Sequence, residues 1–543
     1  MSTQVKRNDL LVIAGSSVGT VFEWYDFFLY GSLAIYLTRH FFSGVNETTG
    51  FIFALLAFAA GFLVRPFGAL VFGRLGDIWG RKNTFLVTML LMGASTFLVG
   101  LIPSYAQIGV LAPLILVTFR LIQGLALGGQ YGGAATYVAE HAPKGRLGFY
   151  TSWIQTCATL GLFLSLVVIL VTRTQMSTDD FADWGWRIPF LVSAVLLLLS
   201  LFIRQKLGES PVFKKMHAEG KTSKSPLTEA FTNKANLRIV LVAMIIVAGQ
   251  AVVWYTCQFY ALFFIERVLK VEGALTNELV VAGLLIGTPF LVLFGWLSDK
   301  IGRKPIILAG FLLAALTLNP LFHALTQAAN PALAEATARA PITVIADPAD
   351  CSVQFDPVGS TVFNRSCDIA KSYLAKAGLP YENETGAAGT TAQIRIGTAI
   401  VETFHGRELS KADFAAQKKA WDTKTAAALA DAGYPAAADS AKVNKLMVIA
   451  IMAVMMVYSG MVYGPLAAML VEMFPAKIRY TSMSLPYHIG NGWFGGLLPT
   501  ISFAMVAATG DMFYGLWYPI GVAAIALVLG IVLLRETKGN SID

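Results

Sequence analysis

The chain has 543 residues, of which 56% are hydrophobic and 14% charged, with a formal charge of +8. At a mean hydropathy of +0.62 no soluble domain of this length could cover its apolar surface, which excludes a water-soluble enzyme or binding module. The basic residues are dispersed among short segments between apolar runs, so they do not describe a nucleic-acid surface.

A helix that crosses a bilayer needs about 20 mostly apolar residues. The sequence offers twelve such runs, at 10–37, 51–75, 84–103, 109–139, 149–172, 187–206, 238–266, 276–297, 305–327, 445–473, 481–508 and 513–535. The polar start, residues 1–10, shows no cleavage site, so the first run is expected to stay as a helix rather than serve as a signal peptide. Lys and Arg gather at the N-terminus, 74–82, 140–148, 204–238, 298–304, 474–480 and the C-terminus. The positive-inside rule then puts these segments and both termini in the cytoplasm. Residues 328–443 break the pattern: they are Ala-rich, charged and non-spanning, and topology puts them outside, between spans nine and ten. Within them Lys411–Ala432 reads as helix, with strong helix formers and no central Gly or Pro. Cys351 and Cys367 are the only cysteines outside spans, and an oxidising exterior makes a disulfide between them the expectation. Cys157 and Cys257 lie within spans and read as packing residues. The expected architecture is an all-α polytopic membrane protein: a six-helix bundle in 1–206, a cytoplasmic linker in 207–237, spans seven to nine in 238–327, the insert in 328–443 and spans ten to twelve in 444–543.

One motif occurs twice. Gly73-Arg74-Leu75-Gly76-Asp77-Ile78-Trp79-Gly80-Arg81-Lys82 follows span two, and Gly295-Trp296-Leu297-Ser298-Asp299-Lys300-Ile301-Gly302-Arg303-Lys304 follows span eight. Both read G-x-L-x-D-x-x-G-R-K, at matching points of two six-span halves. An internal repeat of this kind in a membrane protein points to alternating access. The motif resembles the loop between helices two and three of major facilitator superfamily transporters and its echo in their second half. Further segments narrow the resemblance: Gly19-Thr20-Val21-Phe22-Glu23-Trp24-Tyr25-Asp26-Phe27, Leu63-Val64-Arg65-Pro66-Phe67-Gly68, Gln123-Gly124 with Gly128-Gly129-Gln130-Tyr131-Gly132-Gly133, Asp183-Trp184-Gly185-Trp186-Arg187-Ile188-Pro189-Phe190, and Glu209-Ser210-Pro211-Val212-Phe213. Together they look like the metabolite:proton symporters of that superfamily, carriers of α-ketoglutarate, citrate, shikimate and proline or betaine. The resemblance covers the chain outside 328–443. It implies proton-driven uptake of a small organic acid or zwitterion through a bacterial inner membrane, with no enzyme activity, and it does not name the solute.

A charge at the bilayer centre costs at least ~2.5–3.5 kcal/mol, so intramembrane charges mark either a wet cavity or an ion-pair lattice. Glu23 and Asp26 are three residues apart on one helix face, with Tyr30 a turn further on. Arg65 lies eight residues before Gly73, and Arg120 is central in span four, with Gln123 and Gln130 along its face. One reading is a static lattice joining spans one, two and four. The other has Glu23 or Asp26 carrying the proton and Arg65 or Arg120 meeting a carboxylate, for which a planar guanidinium is suited. The resemblance would put an acid where Gln130 stands. Since Gln cannot titrate, coupling falls to Glu23 or Asp26, or the protein is a uniporter. The second half offers a polar and aromatic lining: Gln250, Trp254 and Gln258 at four-residue spacing, Tyr458, and His488 with Asn491. The stripe on span seven reads either as cavity lining or as lipid-side packing, and His488 either as a hydrogen-bonded structural residue or as a substrate or proton contact.

Asp77 with Arg81 and Asp299 with Arg303 are expected to meet the ends of neighbouring helices through dipoles and hydrogen bonds. Glu140-x-x-Pro143-x-x-Arg146 and Glu472-x-x-Pro475-x-x-x-Arg479 repeat after spans four and ten. These eight residues read as a latch that closes the cytoplasmic side in the outward-facing state, or as topology anchors alone. The chain carries no phosphate-binding P-loop and no zinc-type Cys/His spacing, so no cofactor or metal is expected. Its partners are a small-molecule solute, protons and the lipid bilayer, with no nucleic acid and a monomer as working unit. A membrane sensor using the insert as ligand domain is the alternative from another class.

Overall fold

The computed structural model describes residues 3–42, 60–205, 208–352 and 363–542. The first part of the second expected span, 51–59, lies outside the described residues, as do 353–362 of the insert. The long helices are α1 (Thr3–Ser32), α2 (Arg65–Ile78), α3 (Arg81–Val99), α4 (Leu111–His141), α5 (Leu147–Thr174) and α6 (Arg187–Gln205) in the first half. The second half has α7 (Lys234–Val268), α8 (Gly273–Ile301), α9 (Arg303–Ala329), α10 (Lys445–Met473), a broken α11 (Arg479–Ile489 and Leu498–Thr509, joined through a π-helical turn at Gly490–Gly495) and α12 (Trp517–Leu533).

Among the described residues eight of these helices are long and apolar enough to cross a membrane, and α6 makes a ninth if its 57° bend from Thr178–Gly185 belongs to one span. The remaining three expected spans depart for local reasons. Helix α1 is long but carries Glu23 and Asp26 in its apolar stretch. Helix α2 restarts at Arg65-Pro66, where proline sits in the first turn and the chain turns at Val64. Helix α11 is divided by its glycines.

The halves meet along two seams, α5 against α8 and α2 against α11. The first glycine of each motif copy stands on one of them. A Cβ on Gly73 would lie 3.0 Å from Thr481 Cα of α11, and one on Gly295 would lie 2.4 Å from Ser152 Cβ of α5. Only glycine allows these backbones to cross so closely.

The insert corrects the all-α expectation. It holds a four-stranded sheet in the order β2-β1-β3-β4, with β1 Ile342–Ala346, β2 Glu382–Thr385, β3 Gln393–Ile396 and β4 Ala399–Glu402. β1 pairs parallel with β2 (Val344 opposite Asn383) and antiparallel with β3 (Val344 opposite Ile394), and β3 turns back into β4. The parallel pair requires a crossover, and the helix Ser366–Lys376 lies on it. The expected helix is present as Lys411–Asp431, capped by the Ser410 hydroxyl, and Trp421 donates to the Glu402 carbonyl at 2.9 Å. Cys351 and Cys367 are joined, tying the end of the Pro348–Asp350 turn to the crossover helix. Cys157 and Cys257 are buried and outside any disulfide among the described residues.

The two ends of the insert meet, with Asn444 N donating to Ala328 O at 2.8 Å. Helices α9 and α10 therefore approach as a short hairpin would bring them, and the added domain leaves the bundle intact. The insert rests on the second half. Tyr381 N donates to Gly510 O at 2.8 Å, Asn383 Nδ2 to Thr509 O at 2.7 Å and Ala438 N to Lys270 O at 3.0 Å. Gly510 has φ +85°, and a Cβ there would stand 2.3 Å from the Tyr381 carbonyl oxygen. Gly510→Val adds a strain of about 1–3 kcal/mol and removes room for that contact. Amide exchange around 378–386 and 509–513 is expected to rise several-fold while the bundle stays protected; unchanged exchange would mean the insert is held elsewhere.

Candidate functional site

At the motif side of the bundle each half completes a helix of the other. Asp299 of α8 accepts from Gly148 N at 2.7 Å and Phe149 N at 2.8 Å, the opening amides of α5. Asp77 of α2 accepts from Thr481 N at 2.9 Å and Tyr480 N at 3.4 Å, the opening amides of α11. Helix N-termini carry unpaired N–H groups and a positive dipole end, which a carboxylate satisfies. Each Asp is held by the Arg four residues on, Arg81 at 2.6 Å and Arg303 at 2.8 Å. Arg81 also donates across the seam to Ala476 O at 2.7 Å.

The second motif glycine has φ +106° in both copies, a backbone that only glycine adopts without strain. It starts α3 and α9, whose first amides are capped from within the same half. Glu209 accepts from Arg81 N and Lys82 N, and Glu536 accepts from Arg303 N and Lys304 N. The motif lysines repeat too, Lys82 Nζ bonding Gln205 O at 3.0 Å and Lys304 Nζ bonding Ile531 O at 2.9 Å. Burial pushes the Glu536 carboxyl up, but donation from the Arg303, Lys538, Lys304 and Thr537 amides outweighs this and holds it below the usual carboxylate range. Its contribution to stability is therefore full above the unfolded value and is lost as pH falls through the depressed one.

The Glu-Pro-Arg segments follow the repeat only in part. Glu140 takes Arg479 at 2.9 Å across the halves, lies 3.7 Å from Arg81, and accepts from the Ser210 hydroxyl. Glu472 takes Arg303 at 3.0 Å and the Thr537 hydroxyl at 2.8 Å. Arg146, expected to mirror Arg479, is exposed and makes no ion pair among the described residues. Its segment is one residue shorter, so Arg146 precedes the first turn of α5, whereas Arg479 opens α11 and points back to the Val471 carbonyl.

Between the halves lies a cavity of about 40 Å³, room for only a few waters. Six of the expected residues line it: Glu23, Arg65, Gln130, Trp254, His488 and Asn491. Arg65 is 4% exposed. Its guanidinium lies 4.1 Å from the Phe62 ring centroid and 4.9 Å from that of Phe27, and it bonds the Tyr255 hydroxyl. It has no carboxylate partner among the described residues, and its Nε is unbonded. Among the described residues both buried amide atoms of Gln130 have no partner, and the His488 nitrogens lack ordinary hydrogen-bond geometry.

The other expected residues stand apart from this wall. Asp26 lies beside the Thr96 hydroxyl, which donates to the Met92 carbonyl at 3.0 Å, and lines a separate small void that Glu23 also reaches. Gln123 Nε2 donates to the same hydroxyl at 2.9 Å, Arg120 donates to Gln123 Oε1 at 2.6 Å, and the Arg120 guanidinium lies 4.0 Å from the Tyr30 ring centroid. Asp26, Tyr30, Arg120 and Gln123 thus form a buried polar chain behind the cavity. Gln250 reaches it only through Asn491, whose amide donates at 3.3 Å. Gln258, buried in the π-helical turn Thr256–Tyr260 of α7, does not line the cavity. Tyr458 faces α9, where it meets the Thr317 hydroxyl at 3.0 Å.

The cavity wall also contains tyrosines that sequence reasoning did not single out. Tyr131 of α4 stacks on Tyr487 of α11, centroids 3.4 Å apart and planes 4° from parallel. Tyr463 and Tyr487 share a hydrogen bond of 2.7 Å, and Gln155 donates to the Tyr131 hydroxyl at 2.8 Å. Tyr255 and Trp24 also line the cavity. The available signal was adjacency: Tyr131 follows Gln130, and Tyr487 precedes His488.

Comparison with known proteins agrees with this geometry. Residues 17–340 match the family described as the Major Facilitator Superfamily. The chain is 37% identical over 316 residues to the shikimate transporter of Escherichia coli K12, covering 57% of this chain and 71% of that protein. It is 34% identical over 328 residues to the alpha-ketoglutarate permease of the same organism, covering 60% of this chain and 74% of that protein. Among solved structures it superposes on the proton:xylose symporter XylE bound to 6-bromo-6-deoxy-D-glucose with a TM-score of 0.63 at 15% identity, covering 98% of this chain and 97% of that one. A repeated motif that caps helices reciprocally across two six-helix halves, a small cavity lined by both halves and these matches lead to one conclusion: the chain is a multi-pass membrane transporter of the Major Facilitator Superfamily.

Proposed function

We propose that this protein is a proton-coupled symporter of a small carboxylate-bearing solute, with the motif side and both termini in the cytoplasm of a bacterial inner membrane and a monomer as the working unit. The observation that carries the reading is Arg65, a buried guanidinium in the cavity wall with no carboxylate partner among the described residues. Glu23 is the acid in the same wall. Their charges cancel when the cavity is empty, and again when a solute carboxylate sits on Arg65 while Glu23 is protonated. Solute alone leaves one negative charge, and a proton alone leaves one positive charge. A net charge in a dry intramembrane cavity is costly, so the balanced states are the ones that change sides, and uptake is tied to protons. The tyrosines and tryptophans offer flat apolar faces to the solute body, and Gln130 offers a donor and an acceptor to a second polar group. The carboxylate and zwitterion transporters among the relatives fit this chemistry.

Asp26, Arg120, Gln123 and Tyr30 then act as a structural polar chain supporting α1 against α4. Asp77, Arg81, Glu140, Asp299, Arg303, Glu472 and Arg479 form the cytoplasmic latch. The cavity is too small here for an organic acid, so loading requires it to widen.

Three outcomes are expected. Arg65→Lys keeps the charge but loses the planar fork, and affinity for the solute should fall at least about tenfold, ~1.4 kcal/mol; unchanged affinity would remove Arg65 from the site. Glu23→Gln should abolish accumulation driven by a pH gradient while leaving solute counterflow. Accumulation that survives would place coupling elsewhere, Asp26 first. Asp299→Asn weakens a charged acceptor of two amides, each such bond contributing about 1.5–3 kcal/mol. Labelling of Ser152→Cys at the α5–α8 seam by a thiol reagent added on the motif side should then rise several-fold. Equal labelling would show that the cap does not hold the seam.

A further inference from the structure

We propose that the groove along the α5–α8 seam seats an acyl chain of an anionic phospholipid, with its phosphate bridged by Arg146 of one half and Lys300 of the other. The groove has a volume of about 490 Å³ and opens to the membrane-facing surface. Its walls come from both halves: Phe149, Trp153 and Leu160 from α5, and Pro289, Leu293 and Trp296 from α8. Trp153, Leu160, Leu293 and Trp296 are all more than a third exposed, and an apolar recess at this depth is covered by lipid chains rather than by water.

The motif-side mouth of the groove carries positive charge. The Lys300 ammonium sits 4.0 Å from the Trp296 ring centroid, over a wall of the groove. Arg146 lies two residues before Gly148, and Lys300 lies one residue after Asp299. The 2.7 Å bond from Gly148 N to Asp299 draws the two chain segments together. Both cations are exposed, and neither makes an ion pair among the described residues. Asp299 is already committed to two amides and to Arg303. Two unpaired cations flanking an apolar slot complement a phosphate with an attached chain, and arginine binds phosphate through two donors. The charge favours an anionic headgroup over a zwitterionic one. Because this occupant straddles the seam, it weights the state in which the motif side is closed. The proposal is independent of the solute.

Bromine on a lipid chain quenches indole fluorescence on contact, so the test uses the full chain in phosphatidylcholine vesicles containing a minor fraction of brominated lipid. Subtracting the signal of Trp153→Phe/Trp296→Phe isolates the groove from the rest of the ten tryptophans. Brominated phosphatidylglycerol is expected to quench the groove component several-fold more than brominated phosphatidylcholine. Arg146→Gln/Lys300→Gln should abolish that preference while quenching by brominated phosphatidylcholine persists, which reports an intact groove. Equal quenching by the two lipids in the unmodified protein would overturn the proposal. So would a phosphatidylglycerol preference that survives loss of both cations.

Discussion

The structure depends on how the first amides of α5 and α11 are satisfied. A helix start leaves several N–H groups without partners, and away from water each such group is expensive. Here the acceptors are carboxylates of the opposite half, Asp299 for α5 and Asp77 for α11. Each half is therefore complete at its motif side only while the other lies against it. The remaining motif residues serve that contact. Gly73 and Gly295 let the backbones cross, Gly80 and Gly302 make the turn, and Arg81 and Arg303 fix the aspartates. Parting the halves at this end must replace buried charged hydrogen bonds with water, so the contact has two distinct arrangements rather than a continuum.

The cavity follows from the same two seams. Its charges, Glu23 and Arg65, come from the first half, while its aromatic and amide groups come from both. The stacked pair of Tyr131 and Tyr487 joins the halves directly across the site, so movement of α11 away from α4 would open the cavity and separate the rings together. The π-helical turns of α7 and α11 lie where Trp254, Tyr255, His488 and Asn491 face the cavity. Such turns widen a helix locally and recur at functional sites.

Legibility from sequence was greatest where residue type and backbone geometry are tied. The repeated motif gave the two-half architecture, because its glycines and aspartates each have one structural use. The segment Cys351–Cys367 was readable from the scarcity of other cysteines outside spans. Periodicity over-reached in α7: of Gln250, Trp254 and Gln258 at four-residue spacing, only Trp254 lines the cavity, because sharing a helix stripe does not fix which residue reaches a small space. Counting failed at Arg146, where one residue fewer than in the partner segment leaves the side chain exposed and outside the ion pairs that Arg479 joins. The sheet of the insert was missed because its strands are only four or five residues long and sit in an Ala-rich background. The tyrosine wall was missed because apolar spans hold many aromatic residues, and only the three-dimensional crossing of α4, α7, α10 and α11 selects four of them.

The most direct test of proton-coupled carboxylate transport is a pH electrode outside unbuffered vesicles containing the unmodified protein. A carboxylate solute is added with no imposed pH gradient, and shikimate and α-ketoglutarate are natural first choices from the relatives. If solute movement is tied to protonation of an acid in the cavity, entry of a transported carboxylate will draw protons inward and the medium will become alkaline in step with uptake. Uptake of labelled carboxylate with no alkalinisation, with the membrane potential clamped, would contradict the account.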